Sequence, residues 1–126
     1  MATTPSVKVL LNGSRLLILE IQYVYNDAEV SDAIVVDVSA YSTARVAINK
    51  YVANLVGHSA TLLWEATADV RALAIPEGAS GIDFAAVGGP ILNNAGDGIT
   101  GDIGLTTVGL AAGDHGTIRL ELIKKS

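Results

Sequence analysis

Apolar and polar residues alternate along two segments of the chain, in the pattern of β-strands that bury one face. In residues 16–25 every odd position is apolar, whereas Glu20 and Gln22 lie among the even positions. In residues 117–122 isoleucine and leucine alternate with threonine, arginine and glutamate. Because successive side chains of a strand point to opposite faces of a sheet, both segments predict strands that pack on a core with one side.

Shorter apolar segments predict further strands, and together they indicate an all-β fold. These segments are residues 7–11, 34–38, 60–65, 70–75 and 99–106. Residues 40–56 also fit a helix by their spacing, but their many valine, isoleucine and tyrosine residues favour a strand. Short strands separated by turn signals are typical of sandwiches. The prediction is a β-sandwich or jelly roll of about seven or eight short strands.

Glycine is concentrated in one region of the chain, residues 78–116. This region holds eleven of the thirteen glycines and neither lysine nor arginine. The glycines fit ordinary hairpin turns, and they fit equally well a set of loops that lies flat against a neighbouring subunit. At the other end, residues 1–6 are small, polar and interrupted by Pro5, which predicts an N-terminal arm. We therefore expect residues 1–15 to form the arm and a first short strand, and residues 16–126 to form the sandwich domain.

Composition narrows the classes of function. A chain of 126 residues suits one domain, and the absence of cysteine excludes disulfides and thiolate metal sites. The net charge of −5 disfavours binding to nucleic acid or to an anionic membrane. No uncharged run reaches the roughly 20 residues of a membrane-spanning helix. Half of the residues are apolar, however, which predicts a subunit interface in addition to a core.

The residue types that usually carry chemistry are few and poorly spaced. His58 and His115 lie in turn-like contexts far apart, so both are interpreted as solvated turn histidines rather than metal ligands. The single tryptophan, Trp64, is interpreted as a core or interface anchor rather than a platform for a sugar. No pair of groups is spaced for acid–base catalysis. We expect no enzyme activity, no cofactor and no metal.

One acidic, asparagine-containing set has some features of a calcium loop. It consists of Asn93, Asn94, Asp97, Asp102 and Asp114. The calcium-binding loop signature ends with a bidentate glutamate, and no glutamate follows at that position. Since asparagine, aspartate and glycine are also the residues that tight turns require, the turn interpretation is favoured.

Several segments of the second half resemble small structural proteins of tailed bacteriophages. The resemblance lies in residues 63–70 (LWEATADV), 82–84 (IDF), 88–94 (GGPILNN), 100–107 (TGDIGLTT) and 113–118 (GDHGTI), and it extends over roughly residues 34–125. Some proteins of this group are decoration, or cement, proteins of the capsid. The resemblance implies a small β-fold that forms a homo-oligomer, commonly a trimer, and contacts the major capsid protein on the virion surface.

Apolar residues in the arm and near the glycine-rich loops are the candidate interface. They are Val7, Val9, Leu11, Ile91, Leu92, Leu105 and Leu110. The arm can add a strand to another sheet, although pairing within its own domain explains its pattern equally well. The expected function is that of a capsid decoration protein. The alternatives are a tail, tail-fibre or head–tail connector component, and a carbohydrate- or calcium-binding β-sandwich module.

Overall fold

The computed structural model describes residues 5–26, 29–30, 32–41, 43, 45–93 and 100–125. Within them the chain forms nine strands: β1 (Ser6–Asn12), β2 (Leu16–Val24), β3 (Ala33–Val36), β4 (Arg45–Val56), β5 (Ser59–Trp64), β6 (Val70–Ile75), β7 (Gly78–Asp83), β8 (Ile103–Val108) and β9 (His115–Lys125). Two short 3-10 helices, Val38–Tyr41 and Phe84–Ala86, lie between strands.

The strands form two antiparallel sheets, as predicted for a β-sandwich. One sheet has five strands in the order β1-β2-β9-β4-β7, and the other has four in the order β3-β8-β5-β6. The ambiguous segment 40–56 is a strand over most of its length, which confirms the preference for β-structure there. Its first residues belong instead to the short helix Val38–Tyr41.

The core is built from the apolar faces that the alternation predicted. In β2 the odd positions from Leu17 to Tyr23 are buried, and in β9 the buried positions include Ile118 and Leu120. Their register places Leu19 opposite Leu120 and Ile21 opposite Ile118, so the two apolar faces form one surface. From the four-stranded sheet, Trp64 contributes a fully buried side chain to the same core. Trp64 is therefore a core residue, in agreement with the prediction.

Strand β7 begins the glycine-rich region and was not predicted. It pairs with the second half of β4 and forms one edge of the five-stranded sheet. At Gly81 an added Cβ would lie 2.9 Å from the carbonyl oxygen of Tyr51, so the close approach of the two backbones requires glycine at this position. Small residues replace the large alternating apolar side chains here, and they leave no strand pattern in the sequence.

Candidate functional site

Strand β1 is the other edge of the five-stranded sheet, and it is exposed along its whole length. In the described part of the chain it pairs only with β2, and all seven of its residues are exposed. Val7 and Val9 lie opposite Ile21 and Leu19, which are core residues, so they face the core side of the sheet. They are nevertheless 37% and 44% exposed. The four-stranded sheet therefore does not cover β1, and its apolar side chains meet water on both faces.

A shallow groove continues from β1 across the outer face of the five-stranded sheet. A register shift between Val9 and Leu11 marks a bulge in β1, and Leu11 then lies opposite Ile18. The groove has a volume of about 350 Å³ and is lined by Leu10, Leu11, Ile18, Lys50, Val52, Arg119 and Glu121. The groove therefore connects β1 with the apolar side chains of Ile18 and Val52, and charged side chains lie beside them.

The charges beside β1 are mainly positive. Lys8 lies on the strand opposite Glu20, but Glu20 accepts a hydrogen bond of 2.7 Å from Arg119 and another of 2.6 Å from Gln22. The bond from Arg119 is the main reason that the pKa of Glu20 is lowered from its ordinary value. At the far end of the strand, Lys124 Nζ donates to Asn12 Oδ1. The described edge thus combines apolar side chains with positive charge that Glu20 does not fully offset.

The structure divides the seven predicted interface residues among three places. Val7, Val9 and Leu11 lie together on β1 and are exposed, and their role as an interface stays a prediction. At the other side of the sheet, Ile91 pairs with Ile48 of β4 and is partly buried. Leu92 follows it and is 61% exposed.

Leu105 and Leu110 are core residues, and the interface prediction does not hold for them. Leu105 is fully buried on the inner face of β8, between Leu62 and Ala33 of the neighbouring strands. Leu110 is 6% exposed, and its backbone N–H donates to Glu29 Oε1. Their apolar character is explained by folding of the chain itself.

The same glutamate, Glu29, fixes the loop that carries Leu110. Its two carboxylate oxygens accept hydrogen bonds from the N–H groups of Gly109 and Leu110 and from the hydroxyl of Thr107. Burial acts to raise the pKa of Glu29, but these hydrogen bonds outweigh it and lower the pKa overall. An ionised side chain therefore connects the β2–β3 segment to the β8–β9 loop.

His58 is buried, and its interpretation as a solvated turn histidine was wrong. The side chain is 2% exposed and lies 2.6 Å from the hydroxyl of Tyr23 through Nε2. Nδ1 lies 3.0 Å from the carbonyl oxygen of Val56, which can only accept, so Nδ1 carries the proton and Nε2 accepts from Tyr23. His115, in contrast, is exposed at the start of β9. The tight turn at Gly57, where φ is +82°, directs the chain inward just before His58.

Three carboxylates that the sequence did not group together meet on the four-stranded sheet. Single oxygens of Asp32, Glu65 and Asp69 lie within 4.8 Å of one another. Asp32 and Glu65 extend over Gly104, where a Cβ would collide with both. Burial, followed by the hydrogen bonds and charges of Asp32 and Asp69, raises the pKa of Glu65 to about 8. At neutral pH the cluster therefore relieves its repulsion by holding a proton, and the same oxygens are the ones that could bind a cation.

Of the set considered for calcium, two described members, Asp102 and Asp114, do not lie together. Asp102 precedes β8 and Asp114 follows it, so the two lie at opposite ends of a six-residue strand. Asp102 accepts a hydrogen bond from the N–H of Val38, and Asp114 accepts one from the N–H of Ala111. These are the turn and loop contacts of the favoured interpretation. Asn94 and Asp97 lie outside the described residues.

Comparison with models of protein families, with curated proteins and with solved structures finds no match to this chain. The described helices include none that is long and apolar enough to cross a membrane.

Proposed function

We propose that this protein is a non-enzymatic structural component of a tailed-bacteriophage virion, and specifically a decoration protein bound to the outside of the capsid. The observation that carries the proposal is β1, an edge strand that leaves Val7, Val9 and Leu11 in water. Exposed apolar edge strands promote association unless a partner covers them. The resemblance of the second half to small phage structural proteins suggests what that partner is.

In this proposal the partners are the major capsid protein and other copies of the chain, assembled as a trimer. Binding to the assembled shell stabilises it by mass action, because each copy binds only the assembled shell and lowers the free energy of that state. Many modest contacts repeated over a shell are then sufficient. The net charge of −5 fits a protein that contacts other proteins rather than the packaged nucleic acid.

The decisive experiment measures the copy number of the protein in purified particles by mass spectrometry against the major capsid protein. A ratio near one to one is expected for a decoration protein. A ratio of a few per cent would replace this proposal with a tail or head–tail connector role. Absence from particles would overturn a virion role and favour the carbohydrate- or calcium-binding module.

A second experiment tests the surface itself, by adding purified variants to shells that lack the protein. Changing Val9 and Leu11 together to aspartate is expected to weaken shell binding roughly tenfold or more, which corresponds to about 1.4 kcal/mol. Val108→Asp is the matched control, because Val108 is also exposed but lies on β8 of the other sheet. If the unchanged protein, the Val9 and Leu11 double variant and Val108→Asp bound the shells equally well, β1 would be excluded as the contact surface.

A further inference from the structure

We propose that the free edge of β1 receives an extended segment of a partner protein in which acidic and apolar residues alternate, so that the segment becomes a sixth strand of the five-stranded sheet. The identity of the partner as the shell protein rests on the proposed function. The chemistry of the segment rests on the contacts of β1 alone.

The backbone of β1 favours a strand as the occupant. Strand β1 is seven residues long, contains no proline and uses only one side of its backbone for pairing with β2. Its other side offers N–H and C=O groups over a length of roughly 24 Å, which matches an extended segment of similar length. The short bulge near Leu10 interrupts this edge but does not remove it.

The side chains on the core-facing side require apolar residues in the incoming segment. Val7 and Val9 face this side, and the four-stranded sheet leaves both of them exposed. Residues directly opposite each other on neighbouring strands have Cβ atoms about 4.5–5.5 Å apart. Every second residue of a new strand would therefore contact these valines, and apolar residues would remove them from water.

Before the bulge, the other side of β1 favours acidic residues, whereas after the bulge this side carries Leu11 opposite Ile18. It carries Lys8, and the only acid opposite β1 in the described sheet is Glu20, which already binds Arg119 and Gln22. Beyond the end of the strand lies Arg15, which is exposed. Carboxylates on the outer face of an incoming strand would complement this positive edge.

The same charges argue against a second copy of β1 as the occupant. Strand β1 contains a lysine and no acid, so a second copy of β1 would bring another lysine and no carboxylate to this edge. The opposite edge, β7, consists mainly of small residues and offers little apolar surface to Val7 and Val9. An acidic segment from a different protein fits the edge better.

The test uses two capped nine-residue peptides, one with glutamate alternating with valine and one with lysine in place of glutamate. Binding to the full-length protein is measured by calorimetry, and hydrogen exchange locates the bound peptide. We expect the glutamate peptide to bind at least tenfold more tightly, to weaken as salt is raised, and to protect the amides of Ser6–Asn12. Lys8→Glu should reverse the preference between the peptides. Arg71→Glu, an equal change of charge on β6, should leave it unaltered.

Each other outcome overturns a defined part of the inference. Equal binding of both peptides, or no reversal in Lys8→Glu, would exclude the acidic character of the segment. Protection elsewhere than β1 would exclude the site. Concentration-dependent dimerisation that protects the β1 amides and competes with the peptide would show that a second copy is the occupant. These results do not depend on the copy number in particles, so failure of the inference and failure of the decoration role are distinguishable.

Discussion

Replacing Tyr23 by phenylalanine should destabilise the protein, although the change removes only one oxygen atom. The hydroxyl of Tyr23 lies 2.6 Å from His58 Nε2, and both side chains are at most 3% exposed. Since Nδ1 donates to Val56, Nε2 depends on Tyr23 for its donor. Tyr23→Phe would leave this nitrogen buried without a partner. Stranding a buried polar group costs about 1–3 kcal/mol, and we expect a loss of that size in the free energy of unfolding.

A double-mutant cycle separates the hydrogen bond from the packing around it. His58→Leu should also destabilise by about 1–3 kcal/mol, because it leaves the buried Tyr23 hydroxyl without its partner. In the double variant neither member of the Tyr23–His58 pair remains unpaired. Its destabilisation should therefore be smaller than the sum of the single values, by about 0.5–3 kcal/mol.

Urea unfolding followed by fluorescence provides the measurement. Trp64 is the single tryptophan and is fully buried, so its emission reports exposure of the core. The midpoint should fall while the slope of the free energy against urea stays constant. Tyr25→Phe is the matched control at a partly buried tyrosine next to the core, with an expected change below about 0.5 kcal/mol. The buried Tyr23–His58 hydrogen bond would be refuted if Tyr23→Phe changed the free energy of unfolding by less than about 0.5 kcal/mol and the effects of the two single substitutions were additive. His58 would then be a solvated histidine, as the sequence suggested.

Two further predictions test the core assignment and the carboxylate cluster. Leu105→Ala should lower the free energy of unfolding by about 2–5 kcal/mol, because Leu105 is fully buried. Leu92→Ala, at an exposed position, should change it by less than about 0.5 kcal/mol. Equal urea midpoints for the two variants would contradict this prediction. The raised pKa of Glu65 means that the folded state holds its proton more tightly than the unfolded state, so stability should fall as the pH rises from about 4.5 to about 8. Glu65→Gln should make stability depend less on pH and should raise the melting temperature at pH 8. Glu77→Gln, at an exposed turn, is the control and should do neither. If Glu65→Gln left the pH profile of stability unchanged, the raised pKa of Glu65 would be refuted.

The fold was predictable where large apolar residues alternate over a long strand. In β2 and β9 one face is buried and the other meets water, so the sequence carries a period of two that few other structures produce. The segment that became β4 was harder, because valine and isoleucine fit a strand while the spacing also fitted a helix. This segment is a strand because it pairs with β9 at eleven positions, and such contacts between distant segments are not visible in its local sequence.

Features that depend on contacts between distant segments were not predictable. Glu65 lies 33 positions after Asp32, and the two carboxylates meet only because β3 and β5 flank β8, where Gly104 leaves space. His58 becomes buried because the turn at Gly57 directs it towards Tyr23, 35 positions earlier in the chain. Strand β7 depends on backbone pairing with β4 rather than on its own side chains. Local sequence patterns contain none of this information.

The interface residues show why hydrophobicity alone does not separate a core from a docking surface. Leu105 and Leu11 are both leucines next to turn-like sequence, yet one is fully buried and the other is 44% exposed. The difference arises from sheet order: β8 is an inner strand with neighbours on both sides, whereas β1 is an edge strand that the opposite sheet does not cover. Side chains that are 37–44% exposed contribute less to the stability of the folded monomer than fully buried ones do. Their presence on an otherwise well-formed edge, beside a lysine that is incompletely neutralised, is the reason to seek the function of this protein in what binds β1.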